Sequence, residues 1–186
     1  MAIYTKRGDQ GQTSLYDVKN AQDKRVSKNS MIINAIGSVD EVNSFLGIVA
    51  SQIDSADFKD KIYEIQRNLF TVGSILAGAK LQLQRDKVTK LEKEIDEMEG
   101  TLPVLMGFIL PGGSKLSSHL HYVRSLVRRA ERSLVALPES SVVRLPLTDI
   151  LVYINRLSDY FFMLARKVNF DAKVEEKKWK NSTFKG

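Results

Sequence analysis

From residue 33 to residue 170 apolar side chains recur every three or four positions, in stretches too long for strands, and this periodicity confines the chain to a mostly helical fold. A first helix is predicted from about Ile33 to Ile53, on apolar positions 36, 39, 42, 45, 46 and 49. A second runs from Phe58 to Ala79, on 58, 62, 65, 69, 72, 75 and 76, and a third, more charged, from roughly Thr89 to Glu99. In FILPGGSK, Pro111 and the Gly112-Gly113 pair break the chain, and Ser114 is placed to cap a long helix reaching about Leu137. A loop over 138–146 leads to a last helix, Leu147 to about Phe170. With no internal repeat, the expected fold class is all-α: a five-helix bundle over 33–170, within a single domain spanning 1–186. Residues 1–30, rich in Gly, Asp, Lys, Asn and Ser, read as an irregular arm, a loop or short hairpin, and 171–186 as a solvated, lysine-rich tail.

The length of 186 residues suffices for one buried core. The absence of cysteine excludes disulfides, thiolate zinc or iron–sulfur ligation and a cysteine nucleophile, and fits a reducing compartment. No apolar run approaches the ~18 residues of a membrane span, and MAIYTKRGDQGQ lacks the apolar stretch of a signal peptide, so the expectation is a cytoplasmic protein with no membrane partner. A net charge of +6 favours anionic partners without choosing among nucleotide, nucleic acid and membrane surface. No recognisable nucleic-acid motif is present, and no nucleic-acid partner is expected.

The stretch RSLVRRAER puts four arginines and one glutamate into residues 124–132 of the fourth helix. At 100° per position, Leu116, Leu120, Val123, Val127, Ala130 and Leu134 form one apolar stripe. Arg124, Arg128 and Glu131 border that stripe, with Ser117 and His121 beside them, while Arg129 and Arg132 lie further round. Arginines next to a core stripe can be desolvated and oriented, as a polyanion pocket requires, or can snorkel or pair across a subunit contact; spacing leaves both open.

Three other places carry polar chemistry. Asn155 and Asp159 stand one turn apart in the apolar last helix and need hydrogen-bond partners, either in a structural pair or from a ligand. Asp40 and Asn43 lie near the start of the first helix, where the helix dipole alone favours an aspartate. In TKRGDQGQTSL, Gly8 and Gly11 bracket Asp9 among Thr5, Lys6, Arg7 and Thr13. Backbone N–H groups there can approach an anion and Asp9 can reach a Mg²⁺ carried by phosphates, although a simple turn also accounts for the glycines and the P-loop pattern is absent. His119 and His121 point about 200° apart on a helix and cannot share a metal ion.

Taken together, TKRGDQGQTSL (5–15), GSVDEVNSFLG (37–47), FILPGGSKLSSHLHYVRSLVRRAER (108–132), INRLSDYFFMLAR (154–166) and the ending WKNSTF (179–184) resemble the PduO-type ATP:cob(I)alamin adenosyltransferases over nearly the whole chain. The resemblance implies a five-helix bundle assembled as a homotrimer, with active sites between subunits, ATP and cob(I)alamin as substrates, and Mg²⁺ carried by ATP rather than held by side chains. It implies ATP contacts from Thr5, Lys6, Gly8, Asp9, Gly11, Thr13 and Lys28 in the arm and from Arg128, Arg129, Glu131 and Asn155 in the helices. It further implies an intersubunit pair of Asp40 with Arg124, corrinoid contacts from Phe108, Asp40 and Asn43, and catalytic roles for Arg128 and Phe108. Where the family commonly reads R-x-x-A-Y-G before the first helix, this chain reads Met31-Ile32-Ile33-Asn34-Ala35-Ile36-Gly37 and lacks the arginine and tyrosine.

The activity so implied is transfer of the 5′-deoxyadenosyl group of ATP to cob(I)alamin with release of triphosphate, the product passing on to a cobalamin-dependent enzyme. In such a reaction the corrin carries the hard chemistry, which suits a sequence without a catalytic dyad. The alternatives are a helical nucleotide- or polyphosphate-binding module without corrinoid chemistry and a basic nucleic-acid-binding protein.

Overall fold

A computed structural model describes residues 4–17, 22–138 and 147–179. The expected five helices are present: α1 Met31–Ala50, α2 Ala56–Leu76, α3 Asp86–Thr101, α4 Lys115–Val135 and α5 Leu147–Asp171. Ser114 caps α4 as expected, its side chain accepting from the Ser117 N–H at 3.2 Å. Helix α3 starts three residues earlier than its periodicity indicated. Asp86 favours the positive end of the helix dipole, and Arg85 and Lys87 tie this first turn to Asp149 of α5 and Glu64 of α2.

The helices surround one core. Helix α4 lies along α5, α1 packs on both α2 and α4, and α3 packs on α5. The stripe Leu120, Val123, Val127, Ala130 and Leu134 is buried as its spacing required, and meets Leu46, Leu69, Ile150, Ile154 and Phe161 from the other helices. Helix α1 departs from one expectation. By length and composition it is apolar enough to cross a membrane, with mean hydropathy 1.3. Here its Val39, Val42, Leu46 and Val49 are buried in the shared core, although only 33% of the apolar run is buried.

Of the loop or short hairpin expected for the N-terminal arm, the structure has the hairpin. Strands β1 (Gln12–Asp17) and β2 (Gln22–Ser27) pair antiparallel, with Thr13 opposite Val26 and Leu15 opposite Lys24. Leu15 is buried and Thr13 half-buried, two residues apart and hence on one face of β1. That short alternation is the strand signal, diluted by polar neighbours.

The expected free tail also departs from its reading. Beyond α5 the chain turns back along the loop between α3 and α4. The Leu110 N–H donates to the Lys177 carbonyl and the Trp179 N–H to the Phe108 carbonyl, each at 2.8 Å. Residues 174–179 are therefore a strap across the loop. The rest of the WKNSTF ending and the loop at 139–146 lie outside the described residues.

The turn PGGS that opens α4 is locked from α5. The Asn169 side chain accepts from the Ser114 N–H and donates to the Gly112 carbonyl, both at 3.0 Å. Gly113 sits at φ 110°, and a Cβ there would overlap the Asn169 amide. Only glycine meets both conditions.

Candidate functional site

One cleft gathers the residues that the sequence singled out on α4 and the preceding loop. It has a volume of about 340 Å³ and is lined by Phe108, Ile109 and Pro111 from the loop, His121, Arg124 and Arg128 from α4, and Ser158, Asp159 and Phe162 from α5. No described residue of the arm lines it. Phe108 stands out from the surface, 79% exposed, with the Trp179 ring edge-on at 6.4 Å. An apolar ring left in water beside two guanidinium groups is arranged for a ligand with both an apolar face and negative charge.

The two arginines differ in state. Arg128 is exposed at the rim. Arg124 is half-buried and its Nε is buried without an acceptor among the described residues. Burial, and then the charge of Arg128, both push its pKa down, so Arg124 is a cation in want of an anion. Asp40, its expected partner, is exposed on α1, and its side chain forms no hydrogen bond or ion pair among the described residues. Within one chain the two are not paired.

His121, read from the sequence only as a neighbour of the arginine stripe, is 4% exposed, and neither ring nitrogen has a partner among the described residues. Burial first, and the Arg124 charge second, lower its pKa to about 4, so at neutral pH the ring is uncharged. Its place on the cleft wall comes from α4 meeting α5, where it faces Phe162 at a ring distance of 6.1 Å.

The other expected residues separate into two groups. On the helices, Asn155 donates to Glu131 at 2.8 Å across α5 and α4, so this polar pair satisfies itself at the protein surface. Arg129 forms a salt bridge with Glu41 of α1, a pairing the sequence did not suggest. Asn43 is buried in α1 with its side-chain oxygen unpartnered among the described residues, and it does not line the Phe108 cleft.

In the arm, Thr5, Lys6, Asp9 and Gly11 are exposed and Gly8 half-buried. Two tight turns close this loop, from the Asp9 N–H to the Lys6 carbonyl at 3.4 Å and from the Gly11 N–H to the Gly8 carbonyl at 3.2 Å. Lys6 and Gly11 adopt positive φ of 58° and 74°. The Lys28 N–H donates to the Gly11 carbonyl at 2.8 Å, and the Lys28 ammonium lies against Gly8, where a Cβ would come within 3.1 Å of it. The loop thus collects Lys6 and Lys28 around exposed backbone, the chemistry of an anion cradle. No three His, Cys, Asp or Glu side chains cluster to hold a metal ion among the described residues.

These features define a class: a mostly helical protein that offers a glycine-rich basic loop and, separately, an arginine-walled cleft beside an exposed aromatic ring. The comparisons with known proteins make this specific. The cobalamin adenosyltransferase family matches residues 3–168. The corrinoid adenosyltransferase of Bacillus subtilis (strain 168) is 38% identical over 192 residues, covering 99% of this chain and 95% of that protein. Two solved structures of a PduO-type ATP:corrinoid adenosyltransferase from Lactobacillus reuteri superpose with a TM-score of 0.86 at 36% identity. One is an arginine-to-lysine variant complexed with ATP, covering 96% of this chain and 100% of its own. The other is a phenylalanine-to-alanine variant complexed with cobalamin and ATP, covering 97% and 100%. The chain belongs to the cobalamin adenosyltransferase family.

Proposed function

We propose that this chain transfers the 5′-deoxyadenosyl group of ATP to cob(I)alamin, forming adenosylcobalamin and releasing triphosphate. One observation carries the proposal: Phe108, Arg124 and Arg128, separated by up to twenty positions, line a single cleft beside one exposed aromatic face. Family membership supplies the reaction.

The Co(I) centre of the substrate uses its electron pair to bond to C5′ of ATP, the C5′–O bond breaks, and its electrons leave on triphosphate. No protein base takes part, so the chain's contribution is position and charge. Arg128, with Lys6 and Lys28 of an arm from this or a neighbouring copy, neutralises the leaving triphosphate, with Mg²⁺ carried on its oxygens. Thr5, Gly8, Asp9, Gly11 and Thr13 shape the loop that holds the nucleotide, and Glu131 and Asn155 contribute as a bonded pair. Arg129, engaged by Glu41, acts on ATP only when that bridge opens. Phe108 would set its apolar ring against the bound corrinoid and keep water and polar ligands from that side of it, a surround that would favour the Co(I) state over more highly charged ones.

Homotrimeric assembly is part of the proposal. The unpaired Asp40 and Arg124 each find their counterpart on a neighbouring copy, and Asn43 reaches corrinoid from the same helix. Magnesium dependence, a cytoplasmic location and hand-off of product to a cobalamin-dependent enzyme complete it. The test is triphosphate release measured with and without reduced cobalamin. Release that requires the corrinoid supports the reading, whereas ATP binding with no corrinoid-dependent release supports the nucleotide-binding module instead.

A further inference from the structure

The loop that carries Phe108 is held at both ends and bare in the middle. Asn169 fixes its far end at Gly112 and Ser114, and Arg166 fixes its near end, its Nη2 donating to the Pro103 carbonyl at 2.9 Å. Between these anchors Val104, Met106 and Phe108 are 82%, 82% and 79% exposed, so the core does not hold them. What meets Phe108 is the strap, through the Trp179 N–H bond, the Leu110 N–H bond and the Trp179 ring. The strap is tied back to α5 by the Val174 N–H bond to Asn169 and by Glu176, which accepts from Arg166 Nε at 3.2 Å.

One guanidinium therefore grips both segments. Arg166 is 6% exposed. Its planar fork sends donors in two directions, to the loop carbonyl with one arm and to the strap carboxylate with the other. An apolar residue of similar volume would fill the space but would join neither segment, and it would leave the Glu176 carboxylate and the Pro103 carbonyl without their donor.

We infer that Arg166 is a positioning residue for adenosyl transfer: with Glu176 and Trp179 it clamps the C-terminal strap onto the loop and sets the Phe108 ring where the corrinoid meets it. This rests on the adenosyl-transfer reading for Phe108, whereas the clamp itself does not. Trp179 is the chain's single tryptophan, so its fluorescence reports the strap directly, with no substrate present.

Arg166→Met, Glu176→Gln, Phe108→Ala and the Arg166→Met/Phe108→Ala double variant are compared with the parent as full-length chains. In Arg166→Met, acrylamide quenching of Trp179 rises while helical circular dichroism is unchanged. Its kcat with reduced cobalamin falls about tenfold, as a displaced positioning group should cause, with the KM for ATP unchanged. In the Phe108→Ala background the same substitution costs less than about twofold, because the two act through one ring.

Unchanged quenching in a folded Arg166→Met overturns the clamp. An equal loss of kcat with and without Phe108 leaves Arg166 only structural and overturns the positioning role. If the parent makes no adenosylcobalamin, the adenosyl-transfer reading fails and with it the positioning role, while quenching still decides the clamp. Should Arg166→Met not fold, Glu176→Gln carries both readouts. It keeps an acceptor but loses the charge, so a smaller rise in quenching is expected, and no rise counts against the clamp.

Discussion

Gly113→Ala tests how the site is anchored. Gly113 holds φ 110°, and a methyl group there overlaps the Asn169 amide. Two costs follow. A non-glycine residue at such a φ is strained by about 1–3 kcal/mol. Asn169 must also move away, abandoning the Ser114 N–H and the Gly112 carbonyl, at about 1 kcal/mol for each bond and more for groups left buried and unpaired. The sum is about 3–5 kcal/mol, a large share of the 5–15 kcal/mol typical of a folded domain. Urea unfolding followed by circular dichroism at fixed protein concentration measures it, and at roughly 2–4 °C per kcal/mol the Tm should fall by about 6–20 °C. Asn169→Ala removes the obstacle and the two bonds together, so adding Gly113→Ala to it should cost only the backbone strain, giving clear non-additivity. A loss below about 1 kcal/mol for Gly113→Ala, or strict additivity of the pair, refutes the lock.

Further outcomes are expected elsewhere in the cleft. His121 titrates near 4 when folded against 6.5 in the reference state, so the unfolded chain binds its proton first; the stability it supports is complete above about pH 6.5 and is lost as pH falls towards 4. At 1.36 kcal/mol per unit this amounts to at most about 3 kcal/mol, and His121→Leu should flatten that part of the profile of unfolding free energy against pH. Arg128→Lys should lower kcat/KM for ATP by about 10–100-fold through loss of the bidentate fork, with Tm nearly unchanged because the residue is exposed. Asp40→Arg and Arg124→Asp should each reduce the assembled mass in light scattering, and the double exchange should restore it in part, whereas no effect of either single change would remove the intersubunit pair.

The helices were legible because burial on one face writes itself into the chain at every third or fourth residue, and nothing long-range is needed to see it. Ser114 was legible for a similar reason, since an N-cap acts within one turn. The hairpin was half-visible, for Thr13 and Leu15 alternate too briefly among polar residues to separate strand from loop. At the site, the types and spacing of Arg124, Arg128 and Phe108 carry the family resemblance, and the fold puts them in one cleft. What sequence could not supply are pairings that depend on where helices cross. The Arg129–Glu41 bridge and the Arg166–Glu176 grip join residues that meet only through tertiary packing, and the same packing puts His121, unpartnered among the described residues, on the cleft wall.

The most direct test mixes the protein with ATP, Mg²⁺ and chemically reduced cobalamin without oxygen and follows the visible spectrum. The proposed reaction requires conversion of the Co(I) spectrum to that of adenosylcobalamin, slowed severely in Phe108→Ala although that variant still binds ATP. A folded protein that leaves the Co(I) spectrum unchanged would contradict it.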